Sequence, residues 1–234
     1  MKSFDDFNIE QCVLELRYSP AYLLWDRVGS IWSGMLAENP SLKASGIQAT
    51  QQVFESDSIQ ISLDTSFLRF VSRGPTAIDE IVKNASWMTR FVCDKIKINL
   101  FTRAGFRIIR LKAFDTPAQA FEFAQVGTEG LASLGQKTRR VACVKSARYE
   151  SDIAGIQATM KIEEREIAFK VPWDSIPYLP SDSARKDWVL VFDSDYYTVG
   201  IVERDSLDIE TWVRQASKFI QTHWSSFEPC NNQN

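Results

Sequence analysis

Short stretches of alternating apolar and polar residues fill much of the chain, interrupted by longer stretches in which apolar residues recur every three or four positions. Alternation is typical of half-buried β-strands, and the longer spacing is typical of amphipathic helices. The helical pattern is clearest at 76–95 and 206–226. The sequence predicts helices at 20–38, 76–95, 117–133 and 206–226, and strands at 10–18, 46–55, 58–63, 67–72, 98–103, 106–114, 139–148, 154–163, 165–171, 187–193 and 197–203.

Neighbouring strands that are interrupted by single helices predict an α+β fold. We expect one continuous or two packed antiparallel sheets, with the helices packed on one face. Two helix starts carry a capping pattern, with Ser19 and Thr116 as N-caps and Pro20 and Pro117 in the first helical position.

The chain also resembles itself, which predicts an internal duplication. The pentapeptide GIQAT occurs at 46–50 and again at 155–159. Two further pairs of segments match in the same order, 14–21 with 111–118 and 73–86 with 204–217. Each copy reads as strand, helix, strands and helix. We therefore expect two α+β repeats, at 1–97 and 98–234.

The second repeat is longer, chiefly through a proline-rich segment at about 172–186. Long loops are uncommon in compact domains unless they serve a function or are disordered. This segment predicts a protein-binding loop, because aromatic and arginine side chains are frequent hot spots. The alternative is a surface connection packed by its own aromatic rings. The candidate partner-binding residues are Trp173, Tyr178, Arg185 and Lys186.

Charge is unevenly distributed along the 234 residues, whose formal net charge is −3. Residues 95–148 contain eleven Lys or Arg and three acidic residues. This basic segment indicates binding of phosphates, nucleic acid or an acidic partner. Alternatively, it solvates a sheet face or pairs with the acidic ends of the chain. The candidate anion- or nucleic-acid-binding residues are Lys137, Arg139, Arg140, Lys145 and Arg148.

Catalytic motifs are nearly absent. The only histidine is His223, and the four cysteines at 12, 93, 143 and 230 form no closely spaced pair. Structural zinc sites normally bring two ligands together on a short turn, so no metal or cofactor is predicted. One exception is Asp193-Ser-Asp195, which follows an apolar stretch. This pattern occurs where Mg²⁺ or Mn²⁺ is held against phosphates. The alternative is a turn, which the alignment of Asp195 with Asp64 favours.

No stretch of the sequence reaches the length of about 18 apolar residues that a membrane span needs. The N-terminus, MKSFDDFNIEQ, lacks the apolar core of a signal peptide. These observations predict a cytoplasmic protein without disulfides that does not bind membranes.

The segments IEQCVLELRYSP, NLFTRAGFRIIRL, VLVFDSDYY and LDIETWVRQASKFIQTHWSSFEP together resemble a sporadically distributed family of uncharacterised bacterial proteins of about this length. This chain departs from the family in its short N-terminal lead and in Leu-Arg-Tyr, where the family tends to a phenylalanine. The resemblance implies no established catalysis or cofactor. A patchy distribution is similar to that of defence or toxin–antitoxin components. We expect a non-catalytic accessory protein that binds a protein partner. The alternatives are a metal-dependent enzyme on phosphorylated substrates and a nucleic-acid-associated factor.

Overall fold

The fold combines strands and helices along the described parts of the chain, which in this computed structural model are residues 7–48, 50–74, 78–124, 143–167 and 185–223. The strands are β1 (Asn8–Arg17), β2 (Lys43–Ile47), β3 (Gln51–Glu55), β4 (Ile59–Asp64), β5 (Phe67–Arg73), β6 (Leu100–Phe101), β7 (Arg103–Phe114), β8 (Cys143–Glu150), β9 (Ala154–Ile167), β10 (Arg185–Thr198) and β11 (Val202–Glu203). The α-helices are α1 (Leu23–Glu38), α2 (Ile78–Ile96), α3 (Pro117–Phe123) and α4 (Ile209–His223).

Nine strands form one antiparallel sheet in the order β2-β3-β4-β5-β1-β7-β10-β9-β8. The strands β6 and β11 form a separate two-stranded ladder. Counted outward from the central β1–β7 pair, one side runs β5, β4, β3, β2 and the other runs β10, β9, β8. The predicted α+β class with a large antiparallel sheet is confirmed.

The core gathers one set of alternating strand positions together with the apolar sides of all four helices. On β1 the buried set is Cys12, Leu14 and Leu16. Their neighbours at the intervening positions belong to the opposite face of the sheet, because successive strand side chains point to opposite sides. That second face carries the polar residues described below.

Helices α2 and α4 bury the faces that the sequence predicts, and they pack against each other. Val82 and Ala85 on α2 are buried, as are Val213 and Ala216 on α4. Each pair is spaced by three residues, which places both members on one side of a helix. None of the helices in the described residues has both the length and the apolar character needed to cross a membrane.

The two predicted helix starts have different outcomes. Thr116 caps α3 as predicted, with its side chain accepting a hydrogen bond from the Gln119 amide and with Pro117 as the first helical residue. The prediction for Ser19 and Pro20 is wrong, because α1 begins only at Leu23 and its N-cap, Tyr22, makes no side-chain capping bond. The preceding turn is instead held by the Ala21 amide, which donates to the carbonyl of Thr65.

Strand boundaries differ from the predictions at several places. The predicted strand 98–103 is divided between β6 and β7, and β9 runs without a break through the predicted boundary between 154–163 and 165–171. The predicted strand 46–55 is a hairpin of β2 and β3, closed by mutual backbone hydrogen bonds between Gln48 and Gln51. The predicted strands 187–193 and 197–203 are replaced by one long strand, β10, which continues to Thr198. Gly200 then turns the chain with a φ of +80°, a conformation that glycine adopts without strain.

Parts of the predicted repeat alignment are wrong. Gly46 and Ile47 of the first GIQAT segment lie on β2, the fourth strand outward from β1, whereas the second segment lies on β9, the second strand outward from β7. Asp195 does not correspond to Asp64 either. Asp64 ends β4 and accepts hydrogen bonds in the following turn, whereas Asp195 lies within β10. The pentapeptide identity therefore does not mark equivalent positions.

Candidate binding site

A groove of about 650 Å³ crosses the polar face of the sheet over β4, β5, β1, β7 and β10. We call it the arginine groove, after the four arginines of its lining, which also includes Glu15 and Asp195; the arginines are Arg17, Arg69, Arg103 and Arg107. Strand register places Glu15 of β1 opposite Arg69 of β5 on one side and opposite Gly105 of β7 on the other.

An ion pair crosses the polar face beside the arginine groove. Arg165 of β9 donates through Nη1 to Oε1 of Glu10 on β1, at 2.8 Å, although β7 and β10 lie between these strands. Neighbouring strands are about 4.8 Å apart, so the two side chains extend across the sheet to meet. This ion pair therefore ties β1 to β9 over the polar face.

Glu15 is the centre of the ion pairs in the arginine groove. Arg17 donates through Nε to Oε1 at 2.7 Å, and Arg69 donates through Nε and Nη2 to Oε2 at 2.8 and 2.5 Å. A third guanidinium, that of Arg103, places Nη1 at 3.8 Å from Oε1. Burial raises the pKa of Glu15, but the hydrogen bonds from Arg69 and Arg17 outweigh it, so the pKa lies below its usual value of 4.5.

Gly105 makes room for the Arg103 side chain. A Cβ at this position would lie 2.6 Å from Nη1 of Arg103, so only glycine lets the guanidinium lie where it does. From there Arg103 donates through Nη2 to Oδ2 of Asp195 at 2.5 Å and covers the ring of Tyr197, 5.0 Å from the ring centroid. Arg103 therefore joins the carboxylates of β1 and β10.

Arg107 pairs with Asp193, the other acidic residue of the Asp193-Ser-Asp195 motif. Its Nε and Nη2 atoms donate to the two carboxylate oxygens of Asp193 at 2.7 and 2.5 Å. These hydrogen bonds raise the pKa of Arg107 above its usual value. Asp193 and Asp195 thus each hold an arginine, and the described residues contain no group of three or more His, Cys, Asp or Glu side chains that could hold a metal ion.

Tyr197 links the arginine groove to the edge strand β8. Gly105 and Gly155 lie opposite it on the two neighbouring strands, and a Cβ on Gly155 would lie 2.5 Å from the tyrosine Cζ. Arg148 covers the ring at 5.5 Å from its centroid, and the hydroxyl donates to Glu150 at 3.3 Å. One basic residue from the predicted set, Arg148, therefore connects to the arginine groove.

In two parts of the groove the guanidiniums lie nearer to solvent than the carboxylate that they bind, whereas Arg103 and Asp195 are about equally exposed, at 26% and 30%. The Arg17 and Arg69 side chains are 56% and 42% exposed, whereas Glu15 is 12% exposed. Arg107 is 48% exposed and Asp193 26%. An approaching molecule consequently meets positive charge first, although most of that charge is balanced from below.

Five of the sequence-predicted site residues lie outside the described residues. These are Trp173, Tyr178, Lys137, Arg139 and Arg140. The backbones of Arg185 and Lys186 belong to β10, paired with β9, so these residues are not part of a loop. Their predicted role in partner binding stays a prediction.

Lys145 and Arg148 both lie on β8, but on opposite faces of the sheet, because they are three residues apart on one strand. Only Arg148 is near the arginine groove.

Two of the four cysteines, Cys12 and Cys93, are buried and free. Burial raises the pKa of each thiol to about 12, so neither is a reactive nucleophile at neutral pH. His223 is the last described residue of α4.

Glu15, Arg17 and Arg69 are the functional candidates that sequence reasoning missed. The alternation Val13-Leu-Glu-Leu-Arg17 signals polar side chains on one face of a strand. It does not indicate that Arg69, which is far along the chain, meets Glu15. Comparison with known protein families and with curated proteins finds no match to this chain.

Proposed function

We propose that this protein is a non-catalytic binding protein whose arginine groove takes an acidic segment of a protein partner. The observation that carries the proposal is the exposure of three guanidiniums, those of Arg17, Arg69 and Arg107, which lie nearer to solvent than the carboxylates that they bind. Arginine forks bind carboxylates in a defined geometry, and several exposed forks that line one groove can bind several carboxylates at once. Such a surface favours a partner with several acidic side chains.

The side chains of the groove support binding rather than chemistry. Its three nearby carboxylates, Glu15, Asp193 and Asp195, are each held by at least one arginine. A general base must be able to accept a proton from a substrate, and Glu15, whose pKa is lowered by the hydrogen bonds of its arginines, is a poor one. The metal-dependent alternative loses support for the same reason, because Asp193 and Asp195 already bind cations.

An acidic protein segment fits the groove better than nucleic acid does. Nucleic-acid affinity comes largely from neutralising many phosphates, and the arginines of the groove are mostly neutralised by their own carboxylates. Single-stranded nucleic acids also need exposed rings for stacking. Tyr197 is buried beneath Arg103 and Arg148, so it offers no such platform.

The same proposal includes the internal duplication, with units at 1–97 and 98–234 and the helices on one face of the sheet. It is supported by the order of the strands in the sheet. β5, the last long strand of the first unit, lies next to β1, and β10, the last long strand of the second unit, lies next to β7. The matching buried positions of α2 and α4 add support. A cytoplasmic location and a role as an accessory protein of a bacterial defence or toxin–antitoxin system rest on the sequence and on the family resemblance.

Binding of defined polymers tests the proposal. The probes are a fluorescent poly-glutamate peptide, a poly-lysine peptide and a single-stranded oligonucleotide of similar length, each titrated in low salt. We expect the acidic peptide to bind and Arg107→Glu to weaken it by about tenfold or more, because this change inverts a charge in the groove. Arg214→Glu is the matched control. Arg214 lies on α4 with similar exposure and also binds carboxylates, those of Asp79 and Glu210.

Three results would count against the proposal. The first is no binding of the acidic peptide. The second is equal weakening by Arg107→Glu and Arg214→Glu, which would make the effect one of net charge. The third is stronger binding of the oligonucleotide than of the acidic peptide with the same sensitivity to Arg107→Glu, which would assign the groove to nucleic acid.

A further inference from the structure

Three arginines converge on one carboxylate at one end of the arginine groove. Arg17 and Arg69 both hydrogen-bond Glu15, and Arg103 places Nη1 at 3.8 Å from the same side chain. Strand register even puts Arg17 directly opposite Arg103. Like charges on opposed strand positions repel each other, so this arrangement is unfavourable unless anions lie between them.

The protein supplies too few anions for this cluster. Glu15 and Asp195 are the carboxylates that contact the three guanidiniums, which leaves a positive charge unbalanced among the described residues. Additional negative charge at this point would relieve the repulsion between Arg17, Arg69 and Arg103.

Donor groups remain available for an additional anion. Arg17 binds Glu15 through Nε alone, so its two Nη groups make no hydrogen bond within the described part of the chain. Arg69 uses Nε and Nη2 and keeps Nη1. Arg103 uses Nη2 for Asp195 and keeps Nε. All three side chains line the same groove and surround the same carboxylate, that of Glu15.

A phosphate monoester matches this site in charge and in hydrogen bonding. It carries close to two negative charges at neutral pH and has three strong acceptor oxygens. A carboxylate offers one charge and two oxygens, and a phosphodiester offers one charge. A tetrahedral dianion can take one oxygen to each of three guanidiniums, which neither of the other groups can do as well.

We propose that Arg17, Arg69 and Arg103 form a subsite for the phosphoryl group of a phosphorylated side chain on the acidic protein partner. The inference rests on the proposed function, because it places the phosphoryl group within the segment that the arginine groove binds. Arg107 lies further along β7 and pairs with Asp193, so it belongs to the part of the arginine groove that binds acidic side chains in general rather than to the subsite. The partner is thereby a protein whose binding is increased by phosphorylation.

Three forms of one acidic peptide test the subsite on the full chain. The peptide carries serine, glutamate or phosphoserine at one central position and is titrated by fluorescence anisotropy. We expect the phosphoserine form to bind about tenfold more tightly than the glutamate form, as one to three added charge-assisted hydrogen bonds imply. Inorganic phosphate should displace the phosphoserine form at lower concentration than chloride does.

Arginine variants show whether that preference comes from the subsite. Arg17→Ala should reduce the ratio of phosphoserine to glutamate affinity to near one, and Arg17→Lys should reduce it only in part, because the charge stays but the fork is lost. Arg107→Ala should weaken all three peptides by a similar factor and leave the ratio unchanged. Arg214→Ala should change nothing. Circular dichroism of each variant serves as the control that the fold is retained.

The results separate the subsite from the proposed function. Tight binding of the glutamate peptide without a gain from phosphoserine overturns the subsite and leaves the acidic-segment function standing. A gain that survives Arg17→Ala places the phosphoryl group elsewhere and also overturns the subsite. Absence of binding for all three peptides overturns both. A free phosphate that binds while the phosphopeptide does not would make the site one for a small anion, against the inference.

Discussion

Replacement of Glu15 with glutamine tests whether the central carboxylate stabilises the fold through its arginines. Glu15→Gln keeps the size of the side chain but removes the charge that separates Arg17, Arg69 and Arg103. Breaking a fully buried ion pair costs about 3–5 kcal/mol, and losing an exposed pair costs about 0–1 kcal/mol. Glu15 is buried but its partners are largely exposed, so we expect a loss of about 2 kcal/mol at neutral pH.

Urea unfolding measures this loss, and its pH dependence identifies the cause. The folded-state pKa of Glu15 lies below its usual value of 4.5, so the stabilisation is fully present above pH 4.5. It is lost as the pH falls through the lowered pKa of the folded state. We therefore expect the difference in unfolding free energy between the native protein and Glu15→Gln to shrink steadily in acid.

A matched control is Glu164→Gln on β9. Glu164 is exposed and makes no ion pair within the described residues, so its replacement should change the unfolding free energy by less than about 0.5 kcal/mol. The reasoning is refuted if Glu15→Gln is as stable as the native protein at neutral pH. It is also refuted if the difference between the two proteins is the same in acid as at neutral pH.

Two substitutions and one labelling experiment test the packing. Gly34→Ala brings a Cβ into the Phe91 ring and should lower the unfolding free energy by about 1 kcal/mol, because overpacking exceeds the gain in helix propensity. The same change on a Phe91→Leu background should stabilise the protein, and urea unfolding of the four proteins will show both effects. Gln52→Leu should raise the unfolding free energy by about 1–3 kcal/mol in the same assay, because both amide atoms are buried without hydrogen-bond partners in the described residues; an unchanged midpoint would contradict this. Cys12 and Cys93 should stay unlabelled by a thiol reagent in native buffer and react in urea, as peptide mass spectrometry reports, and rapid native labelling of either would argue against its burial.

The spacing of apolar residues predicts those helices and strands whose structure depends mainly on their own residues. The apolar spacing of α2 and α4 and the alternation along β1 were sufficient to place them within a few residues. The helix start at Ser19 was wrong because a tertiary hydrogen bond, from Ala21 to Thr65, holds that turn in another shape. The split of 46–55 into a hairpin was missed because neither Pro nor the usual Asn-Gly pair marks the turn.

The candidate site was harder to predict because it depends on strand register. Asp193 and Asp195 were visible in the sequence as a pair, but their arginine partners lie on β7, and the pairing of β10 with β7 decides which arginine each one meets. Glu15 and Arg69 are brought together only by the pairing of β1 with β5. Until those pairings are known, the basic residues of the sequence could as well have been solvent-exposed charges.

The central position of β1 has a consequence for how the protein is made. β1 leaves the ribosome before both of its neighbours in the sheet, because β5 and β7 lie much later in the chain. A central strand with both edges open exposes unpaired backbone groups and can pair with other chains. The nascent chain must therefore hold β1 unpaired until β5 appears, and keep its second edge free until β7 follows. Mutations that slow the closure of these distant pairings should lower the yield of protein during synthesis, even where the finished fold is as stable as before.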